Sequence, residues 1–263
     1  MIERESVKVT VPAKCILFGE YAVVEGWPAI AFSIPQYVTT AVVNESNELI
    51  YEGDSKDIVL ALMKHFNVKA LLKIESNIPM GVGLGSSAAF LVAVISALSR
   101  FSNTPVDVFK VAREWEHKLH NGKSSGLDIA ICIAGMKDLS QSLMIRYQRG
   151  EWNVLDIKAP SICIYDSGIP RSKTPVKWDS EALAQLGKLA DRFTDNADSL
   201  SSLFDIANDC LDVLGVVPSE LKVIKNSAWK MTGAGKGGCF ITLYNLTCLP
   251  LTNTRLIWRS SPL

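Results

Sequence analysis

The sequence predicts an α+β protein of two lobes joined near residue 150. Three observations carry this prediction. The chain has 263 residues and is 48% hydrophobic, which is enough for two small domains with packed cores. Stretches with the alternation of β-strands are interleaved with stretches that have helical spacing. The composition shifts after Arg149-Gly150, so we expect domains at residues 1–150 and 151–263.

In the first lobe, the hydrophobic pattern predicts strands and helices in turn. The strand candidates alternate or are β-branched, and the helix candidates have apolar residues three or four apart. The helix that starts at Ser86 is too apolar to have an exposed face, so we expect it to be central. The predicted strands are Val7–Val11, Cys15–Phe18, Tyr37–Val43 and Ala70–Ile74, and the predicted helices are Ile58–Phe66, Ser86–Arg100 and Val106–His120.

In the second lobe, the pattern predicts short strands and one long amphipathic helix. The helix is expected from Ser180 to about Gly215, because leucines recur on one face and aspartates on the other. Ser161–Asp166 is typical of a strand. A turn-rich segment, Thr232–Gly238, leads into a further predicted strand at Cys239–Tyr244.

Composition excludes several classes of protein. The 27 basic and 27 acidic residues balance, which argues against nucleic acid or an anionic membrane as the main partner. The sequence shows no stretch typical of a membrane-spanning helix, and its charged start is unlike a secretory signal. The six cysteines never form a Cys-x-x-Cys motif, so we expect buried, reduced thiols and a cytoplasmic location.

The most informative segment is a loop of three alternating glycines followed by two serines. It reads Pro79-Met-Gly-Val-Gly-Leu-Gly-Ser-Ser-Ala-Ala89. The glycines let a backbone approach a bulky group, and the serines open an apolar helix. A helix N-terminus presents unpaired N–H groups to an anion, so the segment predicts a phosphate-binding loop.

Two other phosphate-binding loops match the sequence less well. A Walker A loop needs Gly-x4-Gly-Lys-Ser/Thr, but His117 stands where Gly122-Lys123-Ser124 would need its first glycine. Gly83-x-Gly85-x-x-Ala88 matches the loose dinucleotide fingerprint, yet no buried strand is predicted directly before it.

The sequence resembles the GHMP small-molecule kinases, a family that includes galactokinases, homoserine kinases, mevalonate kinases and phosphomevalonate kinases. The glycine–serine loop is similar to the central motif of this family. Val11–Val24 resembles the first motif, and Thr232–Phe240 resembles the third. The resemblance implies a two-lobed GHMP kinase fold, with an N-terminal lobe like domain 2 of ribosomal protein S5 and a ferredoxin-like C-terminal lobe.

Three further segments are similar to those of mevalonate kinases. They are Glu25-Gly-Trp-Pro-Ala-Ile-Ala31, Ser125-Gly-Leu-Asp128 and Asp166-Ser-Gly-Ile-Pro-Arg-Ser172. The resemblance therefore implies phosphorylation of the 5-hydroxyl of mevalonate, in isoprenoid synthesis, with ATP and Mg²⁺.

Three residues depart from the mevalonate kinase pattern. At the position of Tyr21, mevalonate kinases usually have histidine, and tyrosine resembles the phosphomevalonate kinase pattern. Ser124 stands where the pattern has proline, and Lys236 interrupts the glycines of the third motif. Tyr21 keeps phosphomevalonate open as the acceptor. Lys236 is expected either to contact phosphate or to lie in solvent.

The resemblance also implies residue roles in phosphoryl transfer, which depends on positioning and charge neutralisation. Asp128 would accept the proton of the acceptor hydroxyl or orient that hydroxyl. Lys14 would pair with Asp128 and stabilise the charge on the transferring phosphate. Ser87 and Glu116 would hold Mg²⁺, with Glu114 as the alternative carboxylate, and the pattern does not separate Ser86 from Ser87.

The binding residues follow from the same resemblance. An arginine in a loop suits a substrate carboxylate, because it can make two parallel hydrogen bonds to it. The expected ATP-binding residues are Gly81, Gly83, Leu84, Gly85, Ser86, Ser87 and Ala88. The expected acceptor-binding residues are Glu20, Tyr21, Arg171, Thr232, Gly233 and Gly235.

Two other functions remain open from the sequence. A decarboxylase of the same fold also consumes ATP but releases CO₂. A metabolite sensor would keep the fold without turnover, although the presence of Lys14, Ser87 and Asp128 argues against it. The expected partner is a small-molecule substrate, with neither nucleic acid nor membrane, and a homodimer is left open.

Overall fold

In the computed structural model, the described residues are 6–119, 124–157, 160–172, 174–193, 197–224, 228–243, 246 and 253–260. They mix helices and sheets, which confirms the predicted α+β class. They divide by contacts into two units that interleave along the chain. The first unit comprises Met1–Lys14, Ser33–Ile78 and Gly85–Gln141, and the second comprises Cys15–Phe32, Pro79–Leu84 and Ser142–Leu263.

The strands and helices are numbered in chain order. The strands are β1 (Val7–Phe18), β2 (Ala29–Glu45), β3 (Ile50–Tyr51), β4 (Ala70–Ser76), β5 (Met144–Gln148), β6 (Glu151–Val154), β7 (Cys163–Asp166), β8 (Trp229–Met231), β9 (Cys239–Thr242) and β10 (Arg255–Arg259). The helices are α1 (Lys56–His65), α2 (Ser86–Phe101), α3 (Val108–Leu119), α4 (Leu127–Gly135), α5 (Ser180–Arg192) and α6 (Ala197–Val213).

The first unit is built around α2, as its apolar sequence predicts. Every side chain from Leu91 to Ile95 is fully buried, and α2 packs against α1, α3 and α4. Burial of one leucine or isoleucine contributes about 1.5–3 kcal/mol. In the sheet of this unit, Thr39–Glu45 of β2 pairs antiparallel with β4, and β3 pairs parallel with β4.

Local signals set the ends of two helices that carry site residues. Before α2, Gly85 has the left-handed φ of +77°, and after it Asn103 has a φ of +53°, which ends the helix. The helix predicted from Val106 begins at Val108 instead, because the Asp107 side chain caps it by accepting the N–H of Lys110 at 3.0 Å.

The second unit contains a sheet in the order β10–β7–β9–β8, with antiparallel pairing throughout. Tyr165 and Phe240 stack across it with ring centroids 5.5 Å apart. Ala29–Phe32 of β2 pairs with β5, which forms a hairpin with β6. Arg149-Gly150, where the composition shifts, is the turn of this hairpin, with φ values of +52° and +92°. The domain division predicted at residue 150 stays a prediction.

The single long helix predicted from Ser180 to Gly215 is wrong, because this stretch holds two helices, α5 and α6. Asp179 caps α5 by accepting the N–H of Ala182 at 2.9 Å. Phe193 ends α5 with extended backbone, and its ring lies 5.9 Å from that of Phe18. The hydrophobic periodicity continues across the break, so periodicity alone could not reveal it.

Two expectations from composition have outcomes in the described part of the chain. None of the helices there is both long and apolar enough to cross a bilayer. Cys15, Cys132, Cys163, Cys210 and Cys239 are buried thiols, as predicted, while Cys248 lies outside the described residues.

Candidate active site

In the first unit, a buried lysine holds a carboxylate that stays open to solvent. Lys14 on β1 has a side chain only 3% exposed, and its Nζ lies 2.9 Å from Oδ2 of Asp128, which is 34% exposed. Asp128 stands in the first turn of α4, where the helix dipole favours a negative charge. The carboxylate can therefore accept a hydrogen bond or a proton from a hydroxyl while Lys14 neutralises its charge.

The last glycine of the glycine–serine loop makes room for this lysine. A Cβ on Gly85 would lie 2.7 Å from both Cγ and Cε of Lys14, so a larger residue would displace the lysine stem. Just after Gly85, Ser87 is exposed and Ser86 is half-buried at the start of α2. Both serines begin the helix whose N–H groups suit an anion.

Glu116 is the second carboxylate near the Lys14–Asp128 pair. Its residue is only 6% exposed. Burial first, and the negative charge of Asp128 second, raise the pKa of Glu116 to about 7, against an ordinary value of 4.5. Glu114, the alternative carboxylate, lies exposed on the same helix. The structure thus groups Glu116, rather than Glu114, with Asp128.

The donor chemistry of this group suits Mg²⁺. Mg²⁺ prefers oxygen ligands, and proteins bind it with one or two carboxylates together with substrate phosphates. A divalent cation beside Glu116 would offset the charge repulsion from Asp128 that its raised pKa reports. Among the residues that the structure describes, no cluster of three or more His, Cys, Asp or Glu side chains could hold a metal. A metal here would therefore depend on hydroxyl and phosphate oxygens as well.

Ser124 is a residue of this group that sequence reasoning missed. Its hydroxyl donates a hydrogen bond to Oε2 of Glu116 and accepts the N–H of Gly126 at 3.2 Å. Gly126 precedes α4, which carries Asp128, so Ser124 links the two acidic residues. The only signal in the sequence was the replacement of a proline at this position.

In the second unit, Glu20 forms a fully buried ion pair with Lys230. The two side chains are 1% and 0% exposed. Lys230 donates to Oε1 of Glu20 and to the carbonyl of Met231, the latter at 2.6 Å. Sequence reasoning assigned Glu20 to acceptor binding and missed Lys230, which lies two residues before the start of the third motif.

Two other predicted acceptor residues join β1 to the loop of the third motif. Tyr21 has a left-handed φ of +61°, and its hydroxyl donates to the carbonyl of Ala234. Burial raises the pKa of Tyr21 to about 12. Thr232 is buried, and its hydroxyl donates to the carbonyl of Ile16 at 2.7 Å. These bonds join the segment of the first motif to that of the third.

Arg171 is exposed, and its guanidinium lies beside three glycines. A Cβ on Gly83 would lie 2.5 Å from its Nη2, one on Gly233 would lie 3.3 Å from the same atom, and one on Gly238 would lie 3.3 Å from Nε. A side chain at any of these three positions would press against the guanidinium where it now lies. Two predicted sets, the glycine–serine loop and the third motif, thus meet at Arg171, whose exposed donors suit a carboxylate.

The remaining predicted residues contribute mainly backbone. Leu84 and Ala88 are 1% and 2% exposed, so their side chains pack in the interior. Gly81 has open space where a side chain would project, whereas a Cβ on Gly235 would lie 2.7 Å from the carbonyl oxygen of Val216. Gly81 is accessible to a ligand, and Gly235 serves the packing of its loop.

Comparison with known proteins finds GHMP kinases and, among them, mevalonate kinases. Residues 49–136 match the model of the GHMP kinases N terminal domain. The mevalonate kinase of Pyrococcus furiosus is 29% identical, over 90% of this chain and 89% of its own. The structure of Methanococcus jannaschii mevalonate kinase has a TM-score of 0.68 at 20% identity, covering 92% of this chain and 91% of its own. Streptococcus pneumoniae phosphomevalonate kinase, in complex with phosphomevalonate and AMPPNP, has a TM-score of 0.70 at 18% identity, covering 95% and 100%.

The chain is therefore similar to the GHMP kinase superfamily, and these matches support an ATP-dependent small-molecule kinase. The fold expected from the sequence resemblance is confirmed by the structural likeness. Within the superfamily, the chain is similar to mevalonate kinases over about nine-tenths of its length.

Proposed function

We propose that this chain phosphorylates mevalonate on its 5-hydroxyl, with ATP as the phosphate donor. The observation that carries the proposal is the Lys14–Asp128 pair, in which a buried ammonium lies 2.9 Å from a half-exposed carboxylate. The similarity to relatives named mevalonate kinase supports the choice of acceptor.

In the proposed reaction, Asp128 accepts a hydrogen bond from the acceptor hydroxyl and takes its proton as the phosphate is transferred. Lys14 stabilises the carboxylate before transfer and the phosphate charge during it. Because Lys14 is buried, its charge acts in a medium that screens it weakly, which strengthens both effects.

The donor nucleotide is assigned to the glycine–serine loop. The N–H groups at the start of α2 bind phosphate oxygens, with the hydroxyl of Ser86 as a further contact. Glu116 and Ser87 hold Mg²⁺, which when bound neutralises phosphate charge. Ser124 keeps the Glu116 carboxylate oriented for this role.

The carboxylate of mevalonate is assigned to Arg171. Its exposed guanidinium can make two parallel hydrogen bonds to one carboxylate, and the glycines beside it leave room for it in its present place. Tyr21 and Glu20 shape the same part of the second unit through their bonds to Ala234 and Lys230.

Phosphomevalonate is the second candidate acceptor. Tyr21 favours it, and so does the likeness to a phosphomevalonate kinase structure. A phosphorylated acceptor calls for additional cations. The ammonium of Lys236 donates to the carbonyl of Thr174 instead of standing open, and Lys173 lies outside the described residues. The bond between Lys236 and Thr174 is the observation that favours mevalonate.

The test is ADP release from the purified protein with Mg²⁺ and ATP, with mevalonate and 5-phosphomevalonate assayed side by side. We expect turnover with mevalonate and a product one phosphate heavier by mass. Turnover with 5-phosphomevalonate alone would move the assignment to the second candidate, and CO₂ release would point to a decarboxylase. The absence of ADP release with either acceptor would contradict the proposal. The Asp138→Asn variant, altered at an exposed carboxylate, serves as the matched active control.

A further inference from the structure

Lys236 occupies a backbone conformation that suits glycine. It stands between Gly235 and Gly237 with a left-handed φ of +61°, which L side chains rarely adopt. A strained residue of this kind persists only where the surrounding structure holds it, so its contacts indicate what it does.

All three polar groups of Lys236 form bonds to other segments of the second unit. Its N–H donates to the carbonyl of Val216 at 2.6 Å, and its carbonyl accepts the N–H of Ser172 at 3.0 Å. Its side-chain ammonium donates to the carbonyl of Thr174. The bond to Thr174 was not among the sequence expectations for Lys236, which were a phosphate contact or a solvated side chain.

These bonds fasten the segment that carries Arg171 on both sides. Before Arg171, the carbonyl of Ile169 accepts the N–H of Gly238 at 3.0 Å. After it, Ser172 and Thr174 are both bonded to Lys236. We call these contacts between residues 169–174 and 236–238 the arginine clasp. Glycine at position 236 could keep the backbone bonds, but only a long cationic side chain reaches Thr174.

We infer that Lys236 is a positioning residue for Arg171, which closes the arginine clasp and thereby strengthens binding of the acceptor carboxylate. Arg171 is exposed, so without a fixed backbone its guanidinium would lose more conformational freedom when it binds. Fixing that backbone in advance lowers the entropy cost of binding. The inference rests on the proposed function for the identity of the acceptor.

The test compares three substitutions at position 236. Lys236→Gly removes the ammonium and relieves the left-handed strain, so this variant should fold at least as well as the parent. Lys236→Met removes only the charge, and Lys236→Arg keeps a donor. We expect Gly and Met to raise the KM for mevalonate about five- to tenfold, with kcat and the KM for ATP unchanged, and Arg to restore most of the affinity.

A matched control variant and a second measurement distinguish a wrong role for Lys236 from a wrong assignment of the acceptor. Lys222→Met removes an exposed lysine of the same unit that pairs with Asp212 at 2.6 Å, and it should leave every kinetic constant unchanged. Hydrogen exchange at the Ser172 amide needs no turnover, and it should become faster in Lys236→Gly and Lys236→Met.

Unchanged exchange in both variants would overturn the inference that the Lys236 side chain closes the arginine clasp. Faster exchange with an unchanged KM for mevalonate would overturn the positioning role. A parent protein that fails to turn over mevalonate would overturn the proposed function and the acceptor role together, while the exchange data would still decide whether Lys236 closes the arginine clasp.

Discussion

The two units each contain a lysine–carboxylate pair, and the pairs differ in one respect. The lysines are equally buried, with side chains 3% exposed for Lys14 and 0% for Lys230. Their partners are not, because the side chain of Asp128 is 34% exposed and that of Glu20 is 1% exposed. A half-exposed carboxylate can take a new partner from solvent, whereas a fully buried one cannot. Carboxylate exposure thus separates a pair suited to chemistry from one suited to structure.

The neighbours of the two pairs support the same distinction. Beside Lys14–Asp128 lies Glu116, a further acidic group whose pKa responds to Asp128. Beside Glu20–Lys230 lie backbone groups, since Lys230 also donates to the carbonyl of Met231. The first pair sits among groups that can exchange protons or bind a cation, and the second joins the end of β1 to the strand before the third motif.

The largest expected effect comes from Asp128→Asn. This variant keeps the size of the side chain and removes its ability to take a proton, so turnover should fall about 10²- to 10⁴-fold. The fold and the affinity for ATP should stay close to those of the parent. Turnover by ADP release and ATP binding by calorimetry check this, with Asp138→Asn as control. Turnover within a few-fold of the parent would remove Asp128 from its proposed role.

The next effect should appear in stability, at the buried pair. Glu20→Met or Lys230→Met leaves one uncompensated buried charge, which typically costs about 3–5 kcal/mol of unfolding free energy. The double variant removes both charges and should recover most of that loss. Chemical denaturation of all four proteins measures the coupling. Losses that simply add in the double variant would contradict a direct interaction between the two charges.

Part of this comparison could be predicted from the sequence. Lys14 and Asp128 lie within segments that resemble family motifs, so the sequence alone indicated their pairing. Lys230 carries no such signal, because a lysine in a short apolar strand does not reveal a partner 210 residues away. Partner and exposure depend on tertiary packing, which hydrophobic pattern does not encode.

The fold shows the same limits. The pattern predicted α2 to within a residue of its end, because its apolar run is long and bounded by glycine and asparagine. The pattern failed at Phe193, where hydrophobic spacing continues although the helix ends. It also gave no sign that Ser124 and Lys236, which looked like departures from a family pattern, form cross-links in the folded chain.

The third prediction concerns pH and the first unit alone. Because the folded pKa of Glu116 is raised to about 7 from 4.5, the metal-free folded protein binds more protons than the unfolded chain between these values. The contribution of Glu116 to the free energy of unfolding should therefore be largest below pH 4.5. It should fall by on the order of 3 kcal/mol as the pH rises to about 7. Denaturation of the metal-free protein across this range measures the slope.

Glu116→Gln should remove that slope, and Glu114→Gln should keep it, since Glu114 is exposed on the same helix. The same slope in both variants would mean that another group titrates.

The smallest effect should follow from Ser124→Ala. The Ser124 hydroxyl donates a hydrogen bond to Glu116 and lowers the pKa of that carboxyl, against the larger effect of burial. Without this hydroxyl, the pKa of Glu116 should rise further, and the pH range over which stability falls should extend to higher pH. One hydrogen bond contributes about 1 kcal/mol, which corresponds to about a fivefold rise in the KM for Mg²⁺-ATP. Ser125→Ala is the matched control, because Ser125 is the neighbouring serine and its hydroxyl accepts the N–H of Leu127 at 3.2 Å. Equal slopes and equal KM values in the two serine variants would show that Ser124 acts only as part of the turn before α4, and Glu116 would then owe its orientation to packing on α3 alone.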